Sequence, residues 1–293
     1  MSDAGPIRRR PVLAAFLLLV AAFVLRLNDI FVLRLDESLG EIILSKALGF
    51  VLVLAFVSLM RQPFAAIGFH RRDLGTTITI GVLLTLGIYL ISYAVEFGLH
   101  AVSGDNPAVV LAAIDPKQEV TGGLLFAGWL VFGNVVNALM EEGLFRGVFL
   151  PVLMGRFRFW AANAVQALLF GLWHLVWPLK NFIHGEISLG GALAQGGLLL
   201  LGSTIYGLIW GYLFYVTGSL WAPIAAHFLA NTIQNLVHIE SSVGLDVLVS
   251  VRGTVASLVG LAALGLIWWL SKRRGFQRLQ SWSTADGSAG TRA

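Results

Sequence analysis

Long apolar stretches alternate with short polar segments along the whole chain. Five runs contain no Lys, Arg, Asp or Glu: 74–95, 122–140, 159–179, 187–239 and 253–271. Each run is long enough to cross a hydrocarbon core of about 30 Å as a helix. The longest run, 187–239, has room for two spans, because Thr217, Gly218 and Ser219 interrupt its apolar residues with a turn.

Two further segments, 11–27 and 42–60, are apolar but carry one cation each, Arg26 and Lys46. We expect these long side chains to reach the membrane interface. The two segments bring the predicted number of transmembrane helices to about eight. A composition of 57% apolar and 12% charged residues, with a mean hydropathy of +0.81, agrees with a polytopic integral membrane protein of the all-α class.

The charges of the loops predict the orientation, because cytoplasmic loops collect Lys and Arg. Alternate loops hold the basic residues Arg8, Arg9, Arg10, Arg61, Arg71, Arg72, Arg156, Arg158, Lys272, Arg273, Arg274 and Arg278. The loops between them are acidic or mixed, so we predict that both termini face the cytoplasm. The net charge of +4 then reflects membrane orientation, not nucleic-acid binding.

The chain is predicted to form a single transmembrane domain over residues 1–278. The polar, small-residue segment 279–293 is predicted to be a disordered cytoplasmic tail. The absence of cysteine excludes disulfides, thiolate metal sites and a cysteine nucleophile.

Several ionisable or amide side chains nevertheless fall inside predicted spans, where polar residues are costly and mark functional sites. They are Glu141, Glu142 and Arg146 in the fourth span, His174 in the fifth, and His227 and Asn231 in the seventh. Glu141 and His174 lie almost equally far from the turn near residue 157, so they should sit at the same depth. We therefore expect a shared polar site.

The spacing within each span assigns these residues different tasks. Glu142 and Arg146 are four positions apart and can form an ion pair along one helix face, a pairing that Glu141 lacks. Glu141 is thus the candidate general base, assisted by His174, for adding water to an amide carbonyl. His227, together with Asn231 one turn later, can donate hydrogen bonds to the developing oxyanion.

Three sequence segments then indicate a family. "EEGLFR" from Glu141, "FGLWH" from Phe170 and "HFLAN" from His227 resemble, in order and spacing, the E-E-x-x-x-R, F-x-x-x-H and H-x-x-x-N motifs of the CAAX-type prenyl endopeptidase and bacteriocin-processing intramembrane proteases. The resemblance covers residues 121–239, the predicted catalytic core. It implies helices that enclose a polar catalytic cavity open towards the cytoplasm and the bilayer.

The resemblance also implies roles for the individual residues. Glu141 and His174 would activate water, His227 and Asn231 would form the oxyanion pocket, and Glu142 and Arg146 would support the site. The expected activity is intramembrane endopeptidase action near the cytoplasmic interface on a membrane-associated protein or peptide. Whether that substrate is prenylated is left open.

The residues and the resemblance also lead to expectations about the cofactor, the partners and the location of the protein. We favour a metal-free mechanism, with zinc bound by Glu141, His174 and His227 as the alternative. The partners expected are the substrate and the lipid bilayer, without nucleic acid, in a prokaryotic cytoplasmic membrane with the active site towards the cytoplasm. A proton-coupled transporter that uses the same buried cluster, or a non-catalytic immunity or scaffold protein, remains an alternative function.

Overall fold

The computed structural model describes residues 9–40, 42–115 and 120–282. The helices are α1 Pro11–Leu27, α2 Leu35–Leu39, α3 Ile43–Leu59, α4 Leu74–Ser103, α5 Leu124–Glu142, α6 Leu150–Met154, α7 Phe159–Trp173, α8 Val176–Ile183, α9 Leu189–Thr217, α10 Trp221–Leu236 and α11 Val249–Arg274. The strands are β1 Ala108–Leu111, β2 Ala113–Asp115, β3 Val120–Gly122, β4 Val237–Ser241 and β5 Gly244–Leu245. A 3-10 turn spans Phe64–Ile67.

Two π-helical stretches lengthen the helices. Asn28–Leu33 continues α1, and Gly143–Phe149 joins α5 to α6, so that Leu124–Met154 forms one continuous helical span. A π-helical turn holds one residue more than an α-helical turn and therefore changes the direction in which later side chains point.

Helical segments occupy all eight predicted spans in the part of the chain that the structure describes. Six are long and apolar enough to cross a membrane: Pro11–Leu33, Leu74–Ser103, Leu124–Met154, Phe159–Ile183, Leu189–Thr217 and Val249–Arg274. The other two, α3 with 17 residues and α10 with 16, are shorter. The integral membrane class is therefore supported, whereas the count of eight crossings and the side of the termini stay predictions.

The short strands were absent from the all-α prediction. Strand β4 pairs with β1 on one side and β5 on the other, and β2 pairs with β3, all antiparallel. These strands, here called the strand cap, lie together at one end of the helical bundle. Strands of two to five residues are too short to show a period-2 pattern, which explains why the sequence did not predict them.

A charge network fastens the strand cap to the bundle. Arg252 of α11 lies 3.2 Å from Glu96 of α4 and 3.0 Å from Asp246, which follows β5. His238 of β4 is 2.7 Å from Asp246. Burial alone would raise the pKa of Asp246, but the hydrogen bonds from His238 and Arg252 lower it to about 2. The carboxylate therefore stays charged and joins α11 to β4.

The opposite end of the bundle, where α1 begins and α11 ends, is here called the terminal end. The predicted turn between the sixth and seventh spans is confirmed there, since Gly218 takes the left-handed conformation (φ +62°) and its carbonyl lies 3.0 Å from His70 Nε2.

The predicted tail meets the bundle at this end too. The side chains of Leu279 and Trp282 are buried, and Trp282 stacks on Phe56 with ring centroids 6.2 Å apart. Leu279 and Trp282 are thus packed against the bundle, in contrast to the prediction of a disordered tail from residue 279. The rest of that tail, 283–293, lies outside the described residues.

Close packing of α4 against α10 depends on Gly81. A Cβ atom at this position would lie 2.2 Å from the carbonyl oxygen of Ala222, a backbone atom that cannot move without displacing the helix.

We predict that Gly81→Val destabilises the protein by about 2 kcal/mol or more, which is typical of overpacking. Thermal unfolding in detergent measures this loss. Gly87→Val, on the same helix with open space around the position, is the matched control and should unfold near the wild-type temperature. Equal unfolding temperatures for the two variants would contradict the packing assignment.

Candidate active site

The four residues predicted to be catalytic line one cavity of about 640 Å³. Glu141 lies at the end of α5, and His174 lies at the break between α7 and α8. His227 and Asn231 lie one turn apart on α10. The structure thus gathers side chains from three predicted spans, as the depth argument required.

The two oxygens of Glu141 have different surroundings. Oε1 accepts a hydrogen bond of 3.0 Å from Trp173 Nε1 and lies 3.6 Å from Arg26 Nη1. Oε2 is buried, makes no hydrogen bond within the described residues, and lies 3.7 Å from His227 Nε2. One oxygen therefore fixes the carboxylate, while the other is left to react.

His227 is held from several directions. Its Nδ1 lies 2.8 Å from Glu142 Oε1, and its ring stacks on Trp210 with centroids 4.3 Å apart. Because the carboxylate can only accept, Nδ1 carries the hydrogen of this bond. Nε2 then faces Glu141 Oε2 and the Asn137 amide, which lies 3.4 Å away.

Glu142 and Arg146 form the ion pair that their spacing predicts. Arg146 Nη1 lies 3.1 Å from Glu142 Oε1, and both side chains are 0% exposed. The guanidinium carbon also lies 4.2 Å from the centroid of the Phe170 ring. Neither charged residue lines the cavity, so the pair supports His227 from behind.

His174 has a defined orientation as well. Its Nδ1 lies 2.7 Å from the carbonyl oxygen of Phe170, which accepts the hydrogen and leaves Nε2 as an acceptor in the neutral ring. The Phe170 ring packs edge-on against the imidazole at 4.7 Å. Trp173, the residue just before His174, binds Glu141, so the end of α7 serves both halves of the candidate site.

Asn231 contributes an uncommitted amide. It is half-buried on the cavity wall, and its side chain makes no hydrogen bond to any residue in the described ranges. An amide in that state is available to a ligand in the cavity.

The geometry bears on the zinc alternative. Among the described residues, no three His, Cys, Asp or Glu side chains converge as a metal ion would require. Glu141, His174 and His227 share a cavity wall, but His174 Nδ1 is committed to a backbone carbonyl and His227 Nδ1 to Glu142. These bonds leave Nε2 of each imidazole as the nitrogen that could meet a further ligand. The choice between the metal-free mechanism and zinc therefore stays a prediction.

Sequence reasoning missed two cations in this cavity. Arg26 and Lys46 were expected to reach the membrane interface, but each is only 3% exposed and lines the cavity. Arg26 also lies over the Trp173 ring at 4.8 Å from its centroid. The sequence did contain a signal for them, because each is a charged residue inside an apolar span. Such a charge marks a functional site in the first two spans just as it does in the fourth.

The cavity occupies one half of the bundle, between Glu141 and the strand cap. The predictions placed both the chain termini and the active site on the cytoplasmic side. The lining residues place the cavity in the half of the bundle away from the terminal end. The side of the termini and the side of the active site both stay predictions.

Comparison with known families gives one match. Residues 123–233 match the family model described as type II CAAX prenyl endopeptidase Rce1-like. No curated protein and no solved structure matches the chain at a significant level. The matched segment contains Glu141, His174, His227 and Asn231, whereas Arg26 and Lys46 lie outside it.

The buried ion pair generates a prediction about stability. Arg146→Met leaves the Glu142 charge buried without its cation, which should destabilise the protein by about 3–5 kcal/mol. The double variant Glu142→Gln/Arg146→Met removes both charges and should recover part of that loss. Unfolding in detergent measures all three proteins, and Arg273→Met at an exposed position is the control. A single variant as stable as the control would show that the pair is dispensable.

Proposed function

The chain carries an Rce1-like domain of the type II CAAX prenyl endopeptidase family at residues 123–233, and from this premise we propose that it is an intramembrane endopeptidase. The family is a protease family, and six helices of this chain are apolar enough to span a membrane. The observation that carries the proposal is the pairing of a free Glu141 oxygen with His227 Nε2 at 3.7 Å on the wall of a cavity. The transporter and scaffold alternatives gain no support from the family domain.

The first chemical step is activation of water. A water molecule between Glu141 and His174 gives its proton to Glu141 Oε2, the oxygen without a hydrogen bond. His174 Nε2 accepts the second hydrogen bond of the same water and orients it. The hydroxide attacks the carbonyl carbon of the scissile amide, and no covalent intermediate with the protein forms.

The second requirement is stabilisation of the oxyanion. Asn231 donates from its amide, and His227 donates from Nε2 when that nitrogen carries a proton. Glu142 accepts from His227 Nδ1 and so holds the ring in place. Fixed donors of this kind stabilise the charge of the transition state without having to reorganise.

The last step balances the reaction. The tetrahedral intermediate collapses, the carbon–nitrogen bond breaks, and the proton held by Glu141 moves to the leaving amine. The products are a carboxylic acid and an amine, and Glu141 returns to its starting charge. The acid keeps the second proton of the water and then passes it to the amine or to solvent, which leaves a carboxylate. Arg26 and Trp173 keep Glu141 Oε1 in place throughout this cycle.

The same proposal specifies the substrate class and the membrane in which the protein acts. The substrate is a membrane-associated protein or peptide, prenylated or not, that reaches the cavity from the bilayer. The protein acts in a prokaryotic cytoplasmic membrane, without nucleic acid and without a metal cofactor.

Substitution of the proposed base tests the mechanism. Glu141→Gln keeps the shape of the side chain but cannot take a proton, so peptide cleavage should fall by about 10³-fold or more. Asn231→Ala removes one oxyanion donor and should lower kcat by about 10²–10³-fold with little change in KM. Cleavage of a fluorogenic membrane peptide by purified protein measures both. Glu186→Gln, at an exposed acid, is the control, and a Glu141→Gln protein as active as that control would reject the mechanism.

Metal dependence has a separate test. We expect the purified protein to keep its activity after prolonged treatment with a chelator, and to contain far less than one equivalent of zinc by elemental analysis. The physical reason is that a carboxylate base acts on water directly. Loss of activity on chelation that zinc restores would overturn this part of the proposal.

A further inference from the structure

The position of the cavity within the bundle indicates the side from which a substrate arrives. We propose that the catalytic cavity opens to the extracytoplasmic side of the membrane and receives peptide segments exposed on that side. The identity of the occupant as a peptide substrate rests on the proposed function, whereas the side itself rests on the fold and the charges.

The cavity wall is built from the helix ends that lead to the strand cap. Residues near those ends line it on six helices: Arg26 late in α1, Lys46 early in α3, Asn181 late in α8, Gln195 early in α9, Gln234 late in α10 and Ser250 early in α11. Consecutive spans run in opposite directions, so late and early positions alternate as expected for one shared end. The cavity therefore extends from Glu141 towards the strand cap.

The other half of the bundle is filled. Below Glu141, towards the terminal end, the apolar side chains form a dense core in which several are 0% exposed: Leu144, Phe145, Val148, Phe149, Leu213 and Phe214. Protein interiors packed in this way hold few voids as large as a water molecule. A peptide cannot reach Glu141 through this core unless the helices separate.

The charges at the two ends are opposite in character. The terminal end carries a set of exposed cations: Arg9, Arg10, Arg61, Arg71, Arg72, Arg156, Arg158, Lys272, Arg273, Arg274 and Arg278. Asp73 is the one acidic residue beside them in the described loops of that end. Since Lys and Arg in short loops set the orientation of a membrane protein, the terminal end belongs in the cytoplasm.

The strand-cap end has the opposite balance. Its acidic residues within the described ranges are Asp29, Asp36, Glu37, Asp105, Asp115, Glu186, Glu240 and Asp246. Two cations among the described residues there are tied to acids: Lys180 binds Asp36 and Glu37, and Arg34 also binds Glu37. Hydrogen bonds from Arg34 and Lys180 lower the pKa of Glu37 to about 2, so this acid stays negative. An end of this kind carries no cytoplasmic signal.

The two observations together define a substrate class. Water and peptide enter from the extracytoplasmic face, so the scissile bond belongs to a segment at the outer leaflet or to a chain that has crossed the membrane. A protein anchored to the inner leaflet would meet the filled half of the bundle. This differs from the cytoplasmic opening that the family resemblance implied.

The chain has no cysteine, which makes it suited to single-cysteine labelling. Ser250→Cys places a thiol on the cavity wall, and Arg156→Cys places one in an exposed loop of the terminal end. Each full-length variant is expressed in cells and treated with a membrane-impermeant maleimide, before or after permeabilisation. We expect Ser250→Cys to be labelled to the same extent in intact and permeabilised cells. Arg156→Cys should be labelled only after permeabilisation.

The reverse pattern would overturn the proposal, as would failure of Ser250→Cys to react in permeabilised cells, because the cavity would then be closed. A second arm uses a membrane-tethered reporter peptide with its cleavable segment placed either outside the cell or in the cytoplasm. Cleavage of the outer reporter alone, lost in Glu141→Gln, is expected. If labelling follows the expected pattern but neither reporter is cut, the proposed peptidase function fails while the orientation stands.

Discussion

The chain of contacts from Arg146 through Glu142 to His227 is the interaction on which the candidate site depends. A buried charge is tolerated only when it is paired, and Glu142 is paired twice, once within its own helix and once across to α10. This second contact fixes the ring of His227 and thereby its distance from Glu141. The adjacent glutamates therefore have separate roles. Glu142 binds Arg146 and His227 and so holds the site together, whereas Glu141 keeps Oε2 without a hydrogen bond within the described residues.

The same rule of pairing explains the architecture around the site. Arg26 faces Glu141, Lys180 binds acids of α2, and Arg252 joins α4 to the strand cap. Each ion pair links elements far apart in sequence, which a purely apolar bundle in lipid could not do with comparable specificity. The charged residues thus determine which helices are neighbours, while the apolar residues fill the space between them.

Much of this could be predicted from the sequence, because the strongest signals were local. Charge-free runs located the spans, the residues around Gly218 located a turn, and spacing of four positions located the Glu142–Arg146 pair. The match in depth between Glu141 and His174 also follows from counting residues along two helices, and both line the same cavity.

The rest could not be predicted, for identifiable reasons. The strands are too short to show a periodic pattern, and their pairing joins β1 at 108–111 to β4 at 237–241, far apart in the sequence. Arg26 and Lys46 look alike in sequence whether they reach lipid headgroups or a cavity. Counting residues also gives the depth of Glu141 without showing on which side of it the helices separate.

The π-helical stretch Gly143–Phe149 has a consequence for how this fold tolerates changes in length. The π turn takes up one residue more than an α-helical turn would, so Leu150–Met154 face the direction that they would have in a regular helix one residue shorter. Deleting a single residue there would convert the stretch to a regular α-helix and keep Leu150–Met154 facing the core, whereas closing the π turn without a deletion would rotate everything beyond it by about 100°. Leu150, Val152 and Leu153 would then leave the core together, so the spacing between Glu142 and α6 is as much a part of the site as the side chains themselves.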